Sequence, residues 1–188
     1  MEISPFELLL KQIAPRNPEG EAEERLKRTV IQGYFLTLSN LENRKRNFRF
    51  EVVISAPSNP PDESNVSRRL EDRTALLFDI AGDNLPLSLT KEEENESFIR
   101  YKSNTLVLPS LATVSVQLLP DIAKFVENPL SLLEVRGFIS IESEDDVSGS
   151  IFLNPEIRGT FFPEDFEVSN TPDFDQLSYS LGLSKVSI

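Results

Sequence analysis

Residues 112–118 read Ala112-Thr113-Val114-Ser115-Val116-Gln117-Leu118 and indicate the fold of this chain more clearly than any other segment. Apolar and polar residues alternate here without a fault. A period of two places the apolar side chains on one face of a strand and the polar side chains on the other. The segment therefore predicts a β-strand with one buried face, on which Val116 points inward.

The same alternation recurs on both sides of this strand. Other segments that show it begin near Val30, Phe48, Leu76, Phe98, Leu133 and Ile151, and most are bounded by proline or turn residues. About seven or eight short strands with few helices favour two packed antiparallel sheets. We therefore predict a mainly β fold over residues 29–188, an antiparallel two-sheet β-sandwich of immunoglobulin-like or jelly-roll-like type.

The amino-terminal segment carries the signals of a helix. Ser4 and Glu7 have the spacing of a capping box, and Pro5 would occupy the first helical position. Helical spacing would place four apolar residues on one face, namely Phe6, Leu9, Leu10 and Ile13. We therefore expect an N-terminal unit, residues 1–28, with a short helix followed by a polar lead-in. A helix this short needs packing to persist, against its own core or against another subunit.

The order of these segments resembles bacterial immunoglobulin-like sandwich domains. An alternating strand ends in Leu38-Ser39-Asn40-Leu41, a long connection follows, and Leu108-Pro109 precedes the next alternating strand. The resemblance covers residues 29–120. It implies a fold and no particular activity.

Charge and hydropathy narrow the classes of partner. The formal net charge of −12 repels nucleic-acid phosphates and anionic lipid head groups. The chain contains no apolar run of about 18 residues, the length that a membrane span needs. Residues 1–7 lack the basic and long apolar regions of a secretion signal. We therefore expect a soluble, cytoplasmic protein that neither binds nucleic acid nor inserts into a membrane.

Two residue types that many enzymes use are missing. The chain has no His and no Cys, which excludes a Ser-His-Asp triad, a cysteine nucleophile, a Cys-rich zinc site and a haem held by either residue. The seven glycines are scattered, so no dinucleotide-binding or phosphate-binding loop can be drawn, and no cofactor is expected. Carboxylates remain as catalysts. The alternative function is therefore a carboxylate-based hydrolase, or a protein that binds a small ligand or carbohydrate.

A repeated Arg-Gly step provides one candidate ligand site. It occurs at Arg136-Gly137 and at Arg158-Gly159. If the acidic segment between them is the turn of a hairpin, the two guanidinium groups would lie close together and could bind a carboxylate or phosphate. The alternative is a ladder of surface ion pairs with neighbouring acids.

Two charged segments are further candidates. Acidic oxygens that could bind Ca²⁺ come from Glu142, Glu144, Asp145 and Asp146, although a solvated hairpin tip explains the same residues. The basic run Arg44-Lys45-Arg46 is interpreted as a charged hairpin loop, with a contact to an anion or a partner as the alternative.

The missing reactive residues and the apolar ends together favour a non-enzymatic module. We expect it to bind a protein partner or to self-associate into a homo-oligomer. The expected contact surfaces are the N-terminal helix and the apolar carboxyl end, with Leu181, Leu183, Val186 and Ile188.

Overall fold

The computed structural model describes residues 1–13, 28–56, 66–71, 74–80, 83–123, 132–145, 149–163 and 175–182. Within these ranges the chain is almost entirely β-strand, and helical geometry is confined to residues 122 and 123. None of the described residues belongs to a helix long and apolar enough to cross a membrane. The prediction of a mainly β protein is confirmed.

The described strands follow the chain in thirteen segments. They are β1 (Glu2–Ile13), β2 (Arg28–Asn40), β3 (Arg46–Ser55), β4 (Val66–Ser67), β5 (Thr74–Ile80), β6 (Asp83–Leu87), β7 (Leu89–Glu94), β8 (Phe98–Ser103), β9 (Leu106–Leu108), β10 (Thr113–Pro120), β11 (Leu132–Ser143), β12 (Ile151–Pro163) and β13 (Asp175–Ser180).

Hydrogen bonds join these strands into a largely antiparallel sheet. Its main path runs β6-β5-β10-β2-β1-β11-β3-β8-β7. Off this path, β12 pairs with β2 along its whole length, β13 pairs with β12, and β9 pairs with β3. Among the described strands, only the short β4 pairs in parallel, with β11.

The strand β2 links two groups of strands. One edge of β2 pairs with β12 throughout. The other edge is divided, because residues 28–32 pair with β1 and residues 34–39 pair with β10. The buried side chains of both groups belong to one apolar cluster, which includes Leu36 of β2, Phe50 of β3 and Val116 of β10. One core therefore serves the whole array.

The strand faces predicted from alternation are confirmed. In β10, Val114, Val116 and Leu118 are buried while the residues between them are more exposed. In β3, the buried positions include Phe48 and Phe50, as expected. Alternation identifies these strands reliably because burial on one face requires a period of two.

The predicted N-terminal helix is wrong, since residues 2–13 form β1. The run Phe6, Leu8 and Leu10 also alternates, and all three side chains are buried in the core. The strand lies between β11 and β2, whose ladders outweigh the local helix signals. Ser4 caps no helix, and its hydroxyl shares a 2.9 Å hydrogen bond with the hydroxyl of Tyr34. The polar lead-in, residues 14–27, lies outside the described residues.

Proline is compatible with β1 because of where it stands. Pro5 pairs in register with Phe138 of β11, and residues 2–8 have a described strand partner on that side alone. A residue without an N–H donor is tolerated in a strand where one edge makes no ladder.

Candidate functional site

Three loops converge at one end of the array. They are residues 40–45 after β2, residues 109–112 before β10, and residues 149–152 at the start of β12, and we call them the loop end. The Leu41 N–H donates to the Ser150 carbonyl at 3.2 Å, and the Leu111 N–H donates to the Glu42 carbonyl at 3.1 Å. Backbone hydrogen bonds thus tie segments together that are far apart in sequence.

The side chain of Asn40 holds two of these loops from inside. It is buried, and its amide nitrogen donates to the carbonyl oxygens of Arg44 at 2.7 Å and Pro109 at 2.9 Å. Its amide oxygen accepts a 3.0 Å hydrogen bond from the Glu42 N–H. A buried amide with donors and acceptor all satisfied restrains the loop conformations that it joins.

Glu42 adds an ionised group to this frame. Its carboxylate accepts hydrogen bonds from the Ser150 N–H at 2.9 Å and from Arg44 Nε at 2.7 Å. The hydrogen bond from Arg44 is the main reason why the pKa of Glu42 is lowered from its ordinary value. Glu42 is therefore negatively charged at neutral pH, with its charge matched inside the loop end.

Arg46 lies beneath the loops with only 3% of its surface exposed. Its guanidinium donates to Asp145 Oδ2 at 2.8 Å and to Ser143 Oγ at 3.1 Å, and it lies 5.7 Å from the ring centroid of Phe48. Asp145 also accepts the Asn47 N–H, the largest cause of its lowered pKa. The alternative interpretation of the basic run, a contact to an anion, is not favoured, because Arg46 is paired with Glu42 and Asp145 of the protein itself.

A glycine permits this close packing. A Cβ atom at Gly149 would overlap Arg46 Nη1 and Glu42 Oε1. A side chain at this position would therefore displace the ends of the Arg46 and Glu42 side chains from their present contacts.

Apolar side chains project from this polar frame into solvent. Leu41 and Phe152 are each 57% exposed, and Leu111 is 66% exposed. Leu111 also has a φ of 54°, in the left-handed region, which costs about 1–2 kcal/mol for a residue with a Cβ atom. A bulky residue is rarely found there. A strained, exposed leucine in a well-restrained loop is the kind of feature that motivates a functional hypothesis.

The strain at Leu111 is open to a direct test. We expect Leu111→Asn to raise the free energy of unfolding by about 0.5 kcal/mol, because Asn tolerates the left-handed region and the exposed leucine contributes little burial. Urea denaturation followed by circular dichroism measures the change. A loss of more than about 1 kcal/mol would mean that the Leu111 side chain is a packing element of the fold.

The structure does not bring the two predicted arginines together. β11 pairs with β1 and β3, whereas β12 pairs with β2 and β13, so no hairpin joins β11 to β12. Arg136 and Arg158 are separated by β1 and β2, and the prediction that they lie close together is wrong. The arrangement contradicts the paired-arginine site because β1 and β2 lie between β11 and β12 in the sheet.

Each of these arginines has its own local partners. Arg136 Nε lies 2.5 Å from Glu7 Oε1, and Arg136 Nη2 lies 2.7 Å from Glu134 Oε1. Arg158 Nη2 lies 2.8 Å from Glu156 Oε2, and the Arg158 guanidinium lies 4.5 Å from the Phe35 ring centroid. These contacts correspond to the alternative interpretation, surface ion pairs.

The acidic segment proposed for Ca²⁺ is engaged with cations of the protein. Glu142 Oε2 lies 3.3 Å from Lys102 Nζ, and Glu144 Oε1 lies 2.6 Å from Arg49 Nε. Asp145 binds Arg46 as described above, and Asp146 lies outside the described residues. In the described part of the chain, no three acidic residues are grouped as metal ligands.

A second polar cluster, which the sequence did not indicate, lies beside β8. The Tyr101 hydroxyl and the Glu71 carboxylate oxygens are buried beside one another, and Lys91 Nζ lies 3.3 Å from Glu71 Oε1. Burial and the adjacent Glu71 raise the pKa of Tyr101. Hydrogen bonds from Arg69 and Lys91 lower the pKa of Glu94 to about 2. In this cluster Tyr101 is therefore buried from solvent, and Glu94 carries a negative charge at neutral pH.

Comparison with protein-family models, with curated protein sequences and with solved structures finds no match. The functional argument therefore depends on the geometry of the chain itself. Of the sites described, the loop end is the one that combines exposure, restraint and strain.

Proposed function

We propose that this chain is a non-enzymatic β-sandwich module that binds another protein through the loop end. The observation that carries the proposal is Leu111, a leucine that is 66% exposed at a φ of 54°. Leu41 and Phe152 extend the apolar surface beside it.

The sandwich part of the proposal is supported by the composition of the core. Ile99 and Tyr101 of β8 share one buried cluster with Val116 and Leu118 of β10. Four strands separate β8 from β10 along the hydrogen-bonded path, and an array that curves over itself would bring such distant strands to the same core. The immunoglobulin-like or jelly-roll-like assignment stays a prediction.

The frame beneath the apolar residues favours tight recognition. Binding is weakened when loops must be ordered at the moment of contact. Here the buried Asn40 amide and the Glu42 carboxylate fix the loops in advance. Exposed apolar anchors on a restrained scaffold are typical of the central contacts of protein interfaces.

The charges of the chain favour a protein over a membrane or a nucleic acid. The net charge of −12 opposes approach to phosphate-rich surfaces. At the loop end, the cations Arg44 and Arg46 are paired with Glu42 and Asp145, so they are not presented to phosphates. The partner expected here offers an apolar pocket that accepts Leu111.

The lowered pKa values of four carboxyl groups support a non-enzymatic role. A general acid in a carboxylate hydrolase needs a raised pKa. The pKa values of four carboxyl groups are lowered instead, those of Glu42, Glu94, Glu134 and Asp145. Each is lowered by hydrogen bonds from the backbone or from cationic side chains, which keeps the acid ionised.

The binding proposal can be tested in two stages. A photo-reactive phenylalanine analogue is placed at position 111 in cells of the source organism, and at the exposed position 90 of β7 as a control. The partner protein that is captured at position 111 and not at position 90 is then purified, and its binding to the unmodified protein is measured by titration. We expect Leu111→Asn to weaken binding at least about tenfold, equivalent to about 1.4 kcal/mol, because it removes the apolar anchor.

Ile13→Asn serves as the matched control. Ile13 is also exposed and apolar, but it pairs with Arg28 at the opposite end of β2 from the loop end. This variant should change the dissociation constant less than about twofold. Equal weakening by both variants, or co-sedimentation of the protein with phosphatidylcholine vesicles that Leu111→Asn abolishes, would overturn the proposal.

A further inference from the structure

The array ends in three strands that differ in how they protect their free edges. Of the described strands with five or more residues, β6, β7 and β13 pair on one side only. β6 carries Pro86, and β7 carries the charged run 91–94 with an irregular register between Lys91 and Glu93. Proline, charge and irregular register are devices that block the addition of another strand.

The strand β13 has neither proline nor an irregular register, and its one charged residue, Asp175, is the first of the strand. Residues 176–180 read Gln-Leu-Ser-Tyr-Ser, without charge or proline, and all five are exposed. An exposed, regular and uncharged edge presents unpaired backbone donors and acceptors to any strand that approaches it.

The two faces of β13 differ in polarity. Ser178 pairs with Arg158, whose side chain is on the exposed face of β12. Tyr179 pairs with Ile157, which is buried. Because paired residues share a face, Leu177 and Tyr179 continue the core-facing side of β12. They nevertheless remain 47% and 43% exposed, so this extension of the core face is left uncovered.

We propose that β13 pairs with β13 of a second copy of this chain, antiparallel about a two-fold axis through Ser178. In that register Leu177 of each copy stands opposite Tyr179 of the other, and Gln176 stands opposite Ser180. Both apolar residues then meet an apolar partner on one face, and the polar residues meet polar partners on the other. A two-fold interface requires such a self-complementary segment.

The occupant is inferred from charge as well as from this symmetry. Two copies that each carry −12 repel one another over most of their surface. β13 offers a contact at which residues 176–180 of both copies bring no charge. This contact is independent of the loop end, which lies at the opposite end of β12, beside Phe152, and remains available to another protein.

The pairing should be weak. Two six-residue strands bury less than the roughly 1,200 Å² of a standard interface, so we expect a dissociation constant between about 10 μM and about 300 μM. The dimer should therefore appear only at high protein concentration.

The absence of cysteine allows the register to be read directly. Ser178→Cys places two thiols across the axis, with Cα atoms about 4.5–5.5 Å apart, inside the range that a disulfide accepts. Gln176→Cys alone or Ser180→Cys alone places its thiols about 14 Å apart, from a rise of about 3.4 Å per residue. A mixture of these last two variants restores an opposed pair.

We expect Ser178→Cys to form disulfide dimers under mild oxidation at ~0.2 mM protein. The yield of dimer should be at least about five times that of Gln176→Cys alone or of Ser180→Cys alone. The mixed sample should give mostly heterodimer by mass. Adding Leu177→Lys to Ser178→Cys should reduce the yield about fivefold, because the lysine places a charge in the apolar pair.

Two results would overturn the proposal. One is equal cross-linking by all three single-cysteine variants, which indicates random collision. The other is a constant monomer mass for the unmodified chain in sedimentation equilibrium up to ~1 mM, a concentration well above the weakest pairing that the edge contact predicts. Circular dichroism confirms that each variant retains the strand signal.

Discussion

Replacing Val116 by Asp should destabilise the protein by at least about 4 kcal/mol, most of the 5–15 kcal/mol that holds a typical domain folded. Val116 is 3% exposed and lies in β10, where it is in register with Leu36 on one side and Phe78 on the other. A carboxylate at this position has no cation within its own strand ladder and loses its hydration. Circular dichroism should show that much of the variant is already unfolded at room temperature, so that heating produces little further cooperative unfolding.

Gln117→Asp is the control for that experiment. Gln117 is the next residue of the same strand and points to the opposite, partly exposed face. The same new charge should there cost less than about 1 kcal/mol, since it stays in contact with water. Equal melting temperatures for the two variants would contradict the assignment of the buried face.

The correct prediction of a strand at β10 and the wrong prediction of a helix at β1 have a common cause. In residues 112–118 only one period fits the apolar residues, so the strand and its buried face follow directly. In residues 2–13 the run Leu8-Leu9-Leu10 fits a helical face and a strand face equally well. The choice is made by pairing with β11, more than 120 residues away in sequence, in which Glu7 meets Arg136. Local signals carry no information about that ladder.

The loop end shows the same limit for functional sites. The sequence predicted that Arg44 and Arg46 lie in a charged hairpin loop, whereas Arg46 is buried at the start of β3. The acids that neutralise the two arginines include Asp145, 99 positions beyond Arg46. Likewise, Leu111, with its φ of 54°, donates its backbone N–H to the carbonyl oxygen of Glu42, 69 positions earlier in the chain. Turn residues can be recognised locally, whereas the meeting of three loops depends on strand order, which hydropathy alternation does not specify.

The repeated Arg-Gly step acquires a different meaning from the one its sequence suggests. Gly137 stands in the middle of β11, between Phe6 of β1 and Ile54 of β3. A Cβ atom there would overlap the carbonyl oxygen of Val53 and lie 2.9 Å from the Cα atom of Ile54. Both obstacles are backbone atoms of a buried neighbouring strand, and neither can rotate away.

Gly137→Ala should therefore cost about 3 kcal/mol or more, because β11 and β3 must separate and weaken their ladder to admit one methyl group. Gly159→Ala makes the identical change in the second Arg-Gly step, where a Cβ atom would meet its nearest neighbours at 3.8 Å. That variant should be neutral or stabilising by up to about 1 kcal/mol, since alanine restricts the unfolded chain. Urea denaturation of the two proteins measures the difference. Similar losses in the free energy of unfolding of both variants would show that β11 and β3 do not approach closely at Gly137. They would also contradict the register that places Gly137 beside Ile54.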